Sequence, residues 1–249
     1  MRYFIQFSYF GKAYHGWQNQ PNAITVQEVL EKALSTLVRK EIDLVGAGRT
    51  DAGVHAKEMY AHFDSDDFEN SEELTYRLNA FLPEDITVQK ITPVKSDAHA
   101  RFDASERTYE YWMIQEKNPF YTDFAHYVKH PLDVEAMNQS AQYLLDHKDF
   151  ECFSKSNTDV KTFLCDVRQA FWEKKEEKLV FTIGADRFLR NMVRAVVGTL
   201  LDVGMRKMKP EEIKTILESK DRGKAGVSVP AKGLYLTKVS YPKRIFNEQ

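Results

Sequence analysis

Cysteine is scarce in this chain, and long apolar runs are absent from it. The 249 residues include only Cys152 and Cys165, too few for a disulfide framework and not spaced like a zinc site. No run of about 18 apolar residues occurs, and the N-terminus lacks the charged and apolar regions of a leader peptide. These absences predict a cytoplasmic protein with reduced thiols and no membrane span.

An overall excess of basic residues is also lacking. The net charge is -2, and the hydrophobic content of 43% is ordinary for a globular protein. Net charge hides its distribution, however, and from Arg187 to Lys232 eleven basic residues stand against five acidic ones. This segment is compatible with a surface that binds a polyanion, although for any single charge a solvated helix face is the better interpretation.

Apolar periodicity divides the chain into two similar series of elements. Alternating patterns predict strands at residues 2–9, 41–46, 57–63, 86–94, 105–115, 162–172, 178–185 and 233–241. Helical patterns predict a helix that begins at Thr25 with a capping box to Glu28, helices capped by Ser71 and by Asp133, and helices that begin near residue 187 and at Pro210. Each half therefore has the order strand, helix, strand, strand, helix, strand.

This order predicts an α+β fold built from two similar α/β halves. Mostly antiparallel sheets would lie side by side, with helices on the outer face and an active-site groove between the halves. Residues 1–100 form the predicted N-terminal half and residues 101–249 the C-terminal half. Since no Pro-, Gly- or Ser-rich linker joins them, the halves are expected to pack tightly.

The most unusual stretch is GAGRTDAGVHA, residues 46–56, with three glycines in eight residues. Glycine is costly inside strands and helices, so the stretch predicts a tight loop that something approaches closely. Arg49 and Asp51 point to the same side of an extended backbone, and the arginine favours the ionised carboxylate. Asp51 is thus a candidate nucleophile or metal ligand, or else part of a turn with a local ion pair. The stretch matches neither a phosphate loop nor a dinucleotide fingerprint.

Two segments of the second half offer further candidates. Tyr109, on a predicted strand, has a ring face on which a base could stack, or it packs across the strands. Arg187, Arg190 and Arg194 lie at i, i+3 and i+7 of the helix predicted from residue 187. Arg194 borders the buried stripe and would need a carboxylate partner, unless it lies on a solvated face. No metal-ligand pattern is present, so we expect no metal.

These segments together resemble the TruA-type tRNA pseudouridine synthases. The catalytic motif of that family matches GAGRTDAGVHA throughout. Other family segments follow in the family's order: YHGWQNQ with TVQEVLEKAL, NAFLPEDI, HARFDASERTYEY, FLRNMVRAVVGTLLDVG and GLYLTKVSYP. The chain departs from the family at Phe10, where Asp is frequent, and at Ala98, where an aromatic residue is frequent.

The resemblance implies roles for single residues. Asp51 corresponds to the catalytic nucleophile, Tyr109 to the tyrosine that stacks on the target uracil, and Arg49 and Arg194 to the basic residues around the aspartate, Arg194 as its salt-bridge partner. Arg187 and Arg190 are further candidates for RNA contacts.

The implied reaction converts uridine to pseudouridine in the anticodon stem-loop of tRNA, by a cytoplasmic homodimer without cofactor or metal. Two alternatives stay open: a non-catalytic tRNA-binding or RNA-folding protein on the same scaffold, and an Asp-dependent enzyme for a small substrate.

Overall fold

The computed structural model of the chain describes residues 1–66, 70–155 and 160–246. They form two compact units: Met1–Glu106 with Leu236–Gln249, and Arg107–Tyr235. The second division between the units falls within the last strand, Leu234–Ser240, of which the residues from Leu236 onward belong to the first unit. Within the described ranges, every helix is too short or too polar to span a bilayer.

The elements follow the predicted alternation of strands and helices. The strands are β1 (Arg2–Tyr9), β2 (Val45–Gly46), β3 (His55–Asp64), β4 (Ile86–Val94), β5 (Glu106–Ile114), β6 (His126–Tyr127), β7 (Val167–Lys175), β8 (Lys178–Ala185) and β9 (Leu234–Ser240). The helices are α1 (Val26–Val38), α2 (Ser71–Phe81), α3 (Val134–Gln142), α4 (Met192–Gly204) and α5 (Glu212–Ser219).

The two units contain the same antiparallel strand arrangement. In the first unit β3 pairs with both β1 and β2, and β1 pairs with β4 on its other side. In the second unit β8 pairs with both β5 and β7. The short strand β6, parallel to β5, and helix α5 are additions in the second half. The predicted α+β class with mostly antiparallel strands is confirmed, as is the repeated order of elements.

Side-chain caps begin three of the helices. Thr25 accepts the Glu28 N–H at the start of α1, and Asp133 accepts the Ala136 N–H at the start of α3, as the sequence predicts. The prediction that Ser71 caps α2 is wrong, because Asn70 accepts the N–H groups of Glu72 and Glu73 instead. An asparagine side chain suits this position as well as a serine does.

Helix α4 begins later than predicted. Its first residue is Met192, not residue 187, because Asn191 has a φ of 68° and a left-handed residue interrupts a right-handed helix. Arg187 and Arg190 therefore precede the helix, and the predicted stripe of three arginines does not form. Every residue of α4 except Arg194 and Asp202 is buried, which is typical of a core helix. Likewise α5 begins at Glu212 and not at Pro210.

A buried histidine makes the first unit sensitive to acid. His62 on β3 is 5% exposed, and its Nδ1 atom accepts the Ala100 N–H at 3.1 Å. Its ring centroid lies 4.6 Å from that of His99. Burial, with help from the nearby charges of His99 and Arg2, lowers the pKa of His62 from 6.5 to about 4, although Asp64 opposes the shift. The folded unit thus holds the neutral imidazole.

We expect stability to fall as the pH drops from 6.5 towards 4, since the unfolded chain takes up the proton first. Above pH 6.5 the imidazole is neutral in both states, so this group adds no slope there. The expected loss from His62 over this range is about 3 kcal/mol. Urea unfolding at several pH values measures it. In His62→Asn the amide oxygen can replace Nδ1 without titrating, so the slope should flatten; an unchanged slope would assign the effect elsewhere.

Candidate active site

Asp51 lies on the loop of residues 47–54 that connects β2 to β3. The Val54 N–H donates to the Asp51 carbonyl oxygen at 3.1 Å, and Gly53 has a φ of 77°. This combination is a β-turn whose third residue requires the left-handed region, and glycine enters that region without a steric penalty. The turn leaves the Asp51 side chain half-buried at its first position.

The segment from Tyr9 to Trp17 packs its backbone directly on this loop. A Cβ on Gly11 would lie 1.9 Å from the Val54 carbonyl oxygen, and a Cβ on Gly16 would lie 2.2 Å from that of Thr50. The Trp17 N–H donates to the Thr50 carbonyl at 3.4 Å. Both glycines thus permit an approach that no other residue allows, and they fix the backbone next to Asp51.

Side chains add to this backbone contact. The hydroxyl groups of Tyr9 and Thr50 share a hydrogen bond of 2.8 Å. The Gly11 N–H donates to the Nδ1 atom of His55 at 2.9 Å, so that nitrogen is an acceptor. Phe10, at a position where the family frequently has Asp, stacks flat on the His55 ring with centroids 4.2 Å apart and planes 8° apart. In this chain, residue 10 contacts the histidine by ring stacking.

Tyr14 links the loop to a more distant residue. Its carbonyl oxygen accepts the Gly53 N–H at 3.2 Å, and its hydroxyl donates to the Asp85 Oδ1 atom at 2.6 Å. Burial, followed by the hydrogen bond to Asp85, raises the pKa of the Tyr14 hydroxyl above its ordinary value. Both residues lie in segments that resemble the family, YHGWQNQ and NAFLPEDI, but the sequence alone indicates no role for either.

The three glycines of the motif have three different environments. Gly46 faces the Trp17 indole, where a Cβ would lie 2.4 Å from the ring nitrogen. Gly53 has the positive φ of the turn. A Cβ on Gly48 would meet no described atom within 4 Å. Neither packing nor backbone strain within the described chain requires glycine at position 48.

Arg49 does not form the local ion pair that the spacing of the motif suggested. Its side chain is exposed, and no hydrogen bond or ion pair of its guanidinium occurs within the described residues. The alternative interpretation of Asp51 combined a turn with a local ion pair. The turn is present, but Arg49 does not stabilise it. The guanidinium remains available to a ligand.

Tyr109 lies on β5 of the second unit, opposite Ile183 of β8. Its ring is half-buried and meets the edge of the Phe188 ring, with centroids 5.1 Å apart and planes 88° apart. An edge-to-face contact restrains one ring by the other. Phe188 was not among the predicted site residues, because its contact with Tyr109 joins residues far apart in sequence.

Arg194 is half-buried on α4, and a neighbouring segment holds its position. Its Nε atom donates to the Val229 carbonyl at 2.7 Å, and the Val229 N–H donates back to the Arg194 carbonyl at 3.2 Å. A Cβ on Gly198 would lie 1.9 Å from the Val227 carbonyl oxygen, so glycine lets this segment lie against the helix. One guanidinium edge is thus fixed by the backbone, which orients the fork of terminal nitrogens.

Arg187 and Arg190 lie between β8 and α4. Arg187 is half-buried, and its backbone N–H donates to the Asp186 carboxylate at 2.8 Å. Arg190 is exposed, and its carbonyl accepts the Lys155 N–H at 3.0 Å.

The predicted site residues are divided between the two units. Asp51 and Arg49 belong to the first unit, and Tyr109 and the three arginines belong to the second. Among the described residues no group of three His, Cys, Asp or Glu could hold a metal ion.

Comparison with known proteins agrees with the resemblance seen in the sequence. Residues 5–103 and 140–242 match the family described as tRNA pseudouridine synthase. The chain is 51% identical over 251 residues to the tRNA pseudouridine synthase A of Bacteroides thetaiotaomicron, covering 100% of this chain and 93% of the relative. The protein of the same name in Porphyromonas gingivalis is 50% identical, over 98% of this chain and 99% of the relative.

A more distant relative of the same name, from Acetivibrio thermocellus, is 40% identical over 94% of this chain and 96% of its own length. Matches of this extent, spanning both units, cannot come from a shared motif alone. The chain belongs to the tRNA pseudouridine synthase family.

Proposed function

We propose that this protein isomerises uridine to pseudouridine in the anticodon stem-loop of tRNA, with Asp51 as the nucleophile. The observation that carries the proposal is the loop geometry. Asp51 stands at the first position of a turn whose backbone is fixed by Gly11, Gly16 and Tyr14. A carboxylate on a rigid loop is pre-positioned, which is what nucleophilic catalysis requires.

The reaction breaks the bond between uracil N1 and ribose C1′ and forms one between C5 and C1′. N1 gains a proton and C5 loses one to solvent, so no oxidant, reductant or energy source is consumed. The detached base must stay in place while it turns over, since diffusion would abort the reaction. Holding both fragments makes the second bond formation effectively unimolecular.

The remaining site residues have supporting roles in this proposal. Tyr109, restrained by Phe188, offers a ring face to the uracil. Arg194, with its Nε atom fixed on the Val229 carbonyl, would act as the salt-bridge partner of Asp51. The exposed guanidinium of Arg49, with Arg187 and Arg190, would contact RNA phosphates.

We propose in addition that the protein acts in the cytoplasm as a homodimer, as the family resemblance implies. Cys152 and Cys165 are both buried, and burial raises the pKa of each thiol to about 12. Buried thiols of this kind are inert, which is compatible with a reducing compartment.

Purified protein incubated with unmodified tRNA transcripts is expected to introduce pseudouridine within the anticodon stem-loop. Carbodiimide labelling and primer extension identify the modified nucleotides. A matched transcript in which the anticodon-arm uridines are changed to cytidine should remain unmodified. Modification confined to another arm would refute the anticodon assignment. Tight tRNA binding without any pseudouridine would favour the non-catalytic alternative.

A further inference from the structure

A carboxylate outside the Asp51 loop bears on the position of that loop. Asp85 lies half-buried in the turn between α2 and β4, where Pro83 and Glu84 are exposed. Its Oδ1 atom accepts the Tyr14 hydroxyl at 2.6 Å, and its carbonyl accepts the Phe10 N–H at 2.8 Å. Among the described residues no Lys or Arg pairs with this carboxylate. The hydrogen bond from Tyr14 is thus the contact that orients the Asp85 side chain.

Tyr14 passes this constraint to the turn that begins at Asp51. The Tyr14 side chain is 6% exposed, so its ring is fixed by packing as well as by Asp85. Its carbonyl accepts the N–H of Gly53, the left-handed residue of the turn. A hydrogen bond to an ionised acceptor is stronger than one between neutral groups. The orientation of Tyr14 therefore depends on Asp85, and the turn depends on Tyr14.

We propose that Asp85 and Tyr14 are positioning residues for the reaction, acting through Gly53 on the Asp51 carboxylate. The inference rests on the proposed role of Asp51. Neither residue needs to touch the substrate. Their contribution is to hold the loop in the geometry for attack, and small displacements of a reacting group are costly in rate.

Removing either side-chain group is expected to lower kcat about tenfold or more, with KM changed by less than about twofold. Tyr14→Phe removes the hydroxyl and keeps the ring. Asp85→Ala removes the acceptor. The double variant should be no slower than the slower single variant, because both break one contact. Asp85→Asn keeps an oxygen at the Oδ1 position and should recover most of the lost kcat.

Tyr241→Phe is the matched control. It deletes another tyrosine hydroxyl of the first unit, which donates to the Ala100 carbonyl at 2.6 Å, outside residues 51–54 of the turn. A similar loss of thermal stability without loss of kcat is expected for it. If Tyr14→Phe and Asp85→Ala slow turnover no more than this control, or if Asp85→Asn gives no rescue, the positioning role is wrong. An Asp51→Asn variant that still turns over would instead overturn the proposed role of Asp51, on which this inference rests.

Discussion

Asp51→Asn is expected to abolish the release of tritium from tRNA that carries [5-³H]uridine. The amide has the shape of the carboxylate but no negative charge, so it cannot act as the nucleophile. The turn should survive, because the Val54 N–H bonds the Asp51 carbonyl, the Gly53 N–H bonds the Tyr14 carbonyl, and Gly16 packs on Thr50. We expect a loss in kcat of about 10⁴-fold or more, with tRNA affinity and melting temperature near those of the wild type.

Asp43→Asn provides the matched control for this experiment. Asp43 is an exposed carboxylate on the same unit, two residues before β2, and its removal changes the net charge by the same amount. Turnover of the control should equal that of the wild type. If Asp51→Asn keeps a rate within tenfold of the control, the nucleophile must be sought elsewhere.

Gly16→Ala is expected to destabilise the first unit by about 2 to 4 kcal/mol and to lower turnover together with stability. Two costs combine at this position. The φ of 89° is unfavourable for any residue with a Cβ, and that Cβ would lie 2.2 Å from the Thr50 carbonyl oxygen. Relief requires the backbone next to Asp51 to move. Urea unfolding and single-turnover assays below the unfolding midpoint measure the two effects.

Gly48→Ala is the informative partner of this variant. Its Cβ meets no described atom and its φ lies outside the left-handed range, so stability should stay the same or rise by about 0.5 kcal/mol. If RNA packs against this part of the loop, kcat/KM for tRNA should nevertheless fall. Full activity in Gly48→Ala would contradict the hypothesis that RNA packs closely against this position. Wild-type stability in Gly16→Ala would contradict the tight packing of the two segments.

Regular strands and polar caps are the parts of the fold that the sequence predicts well. β1 and β4 have their predicted bounds, because alternation and flanking turns are local signals. The strand expected at residues 41–46 is confined to Val45–Gly46, because side chains of α1 bond the preceding backbone. Glu31 accepts the Leu44 N–H, Gln27 donates to the Leu44 carbonyl, and Ser35 accepts the Ile42 N–H. The apolar periodicity of the sequence does not reveal that these side chains bind the backbone groups that a strand would use.

The candidate site divides in the same way. The motif itself indicates Asp51, since Arg49 and Asp51 are neighbours in sequence and lie between glycines of the same short stretch. The contacts of Gly11, Gly16 and Tyr14 with the loop are not, because each joins residues more than thirty positions apart. The start of α4 is also hidden, since Leu189 continues the apolar pattern and only the conformation of Asn191 ends it.

The repeated strand arrangement has different connections in its two copies. β2 and β3 are joined by the loop of residues 47–54, whereas β7 and β8 are joined by a turn of two residues, Glu176 and Glu177. A two-residue turn is too short to form a loop like that of residues 47–54, in which neighbouring backbone holds the turn that begins at Asp51. With Asp51 as the proposed nucleophile, we therefore expect one reaction centre per chain, and titration with a tight-binding substrate analogue should saturate at one equivalent per polypeptide.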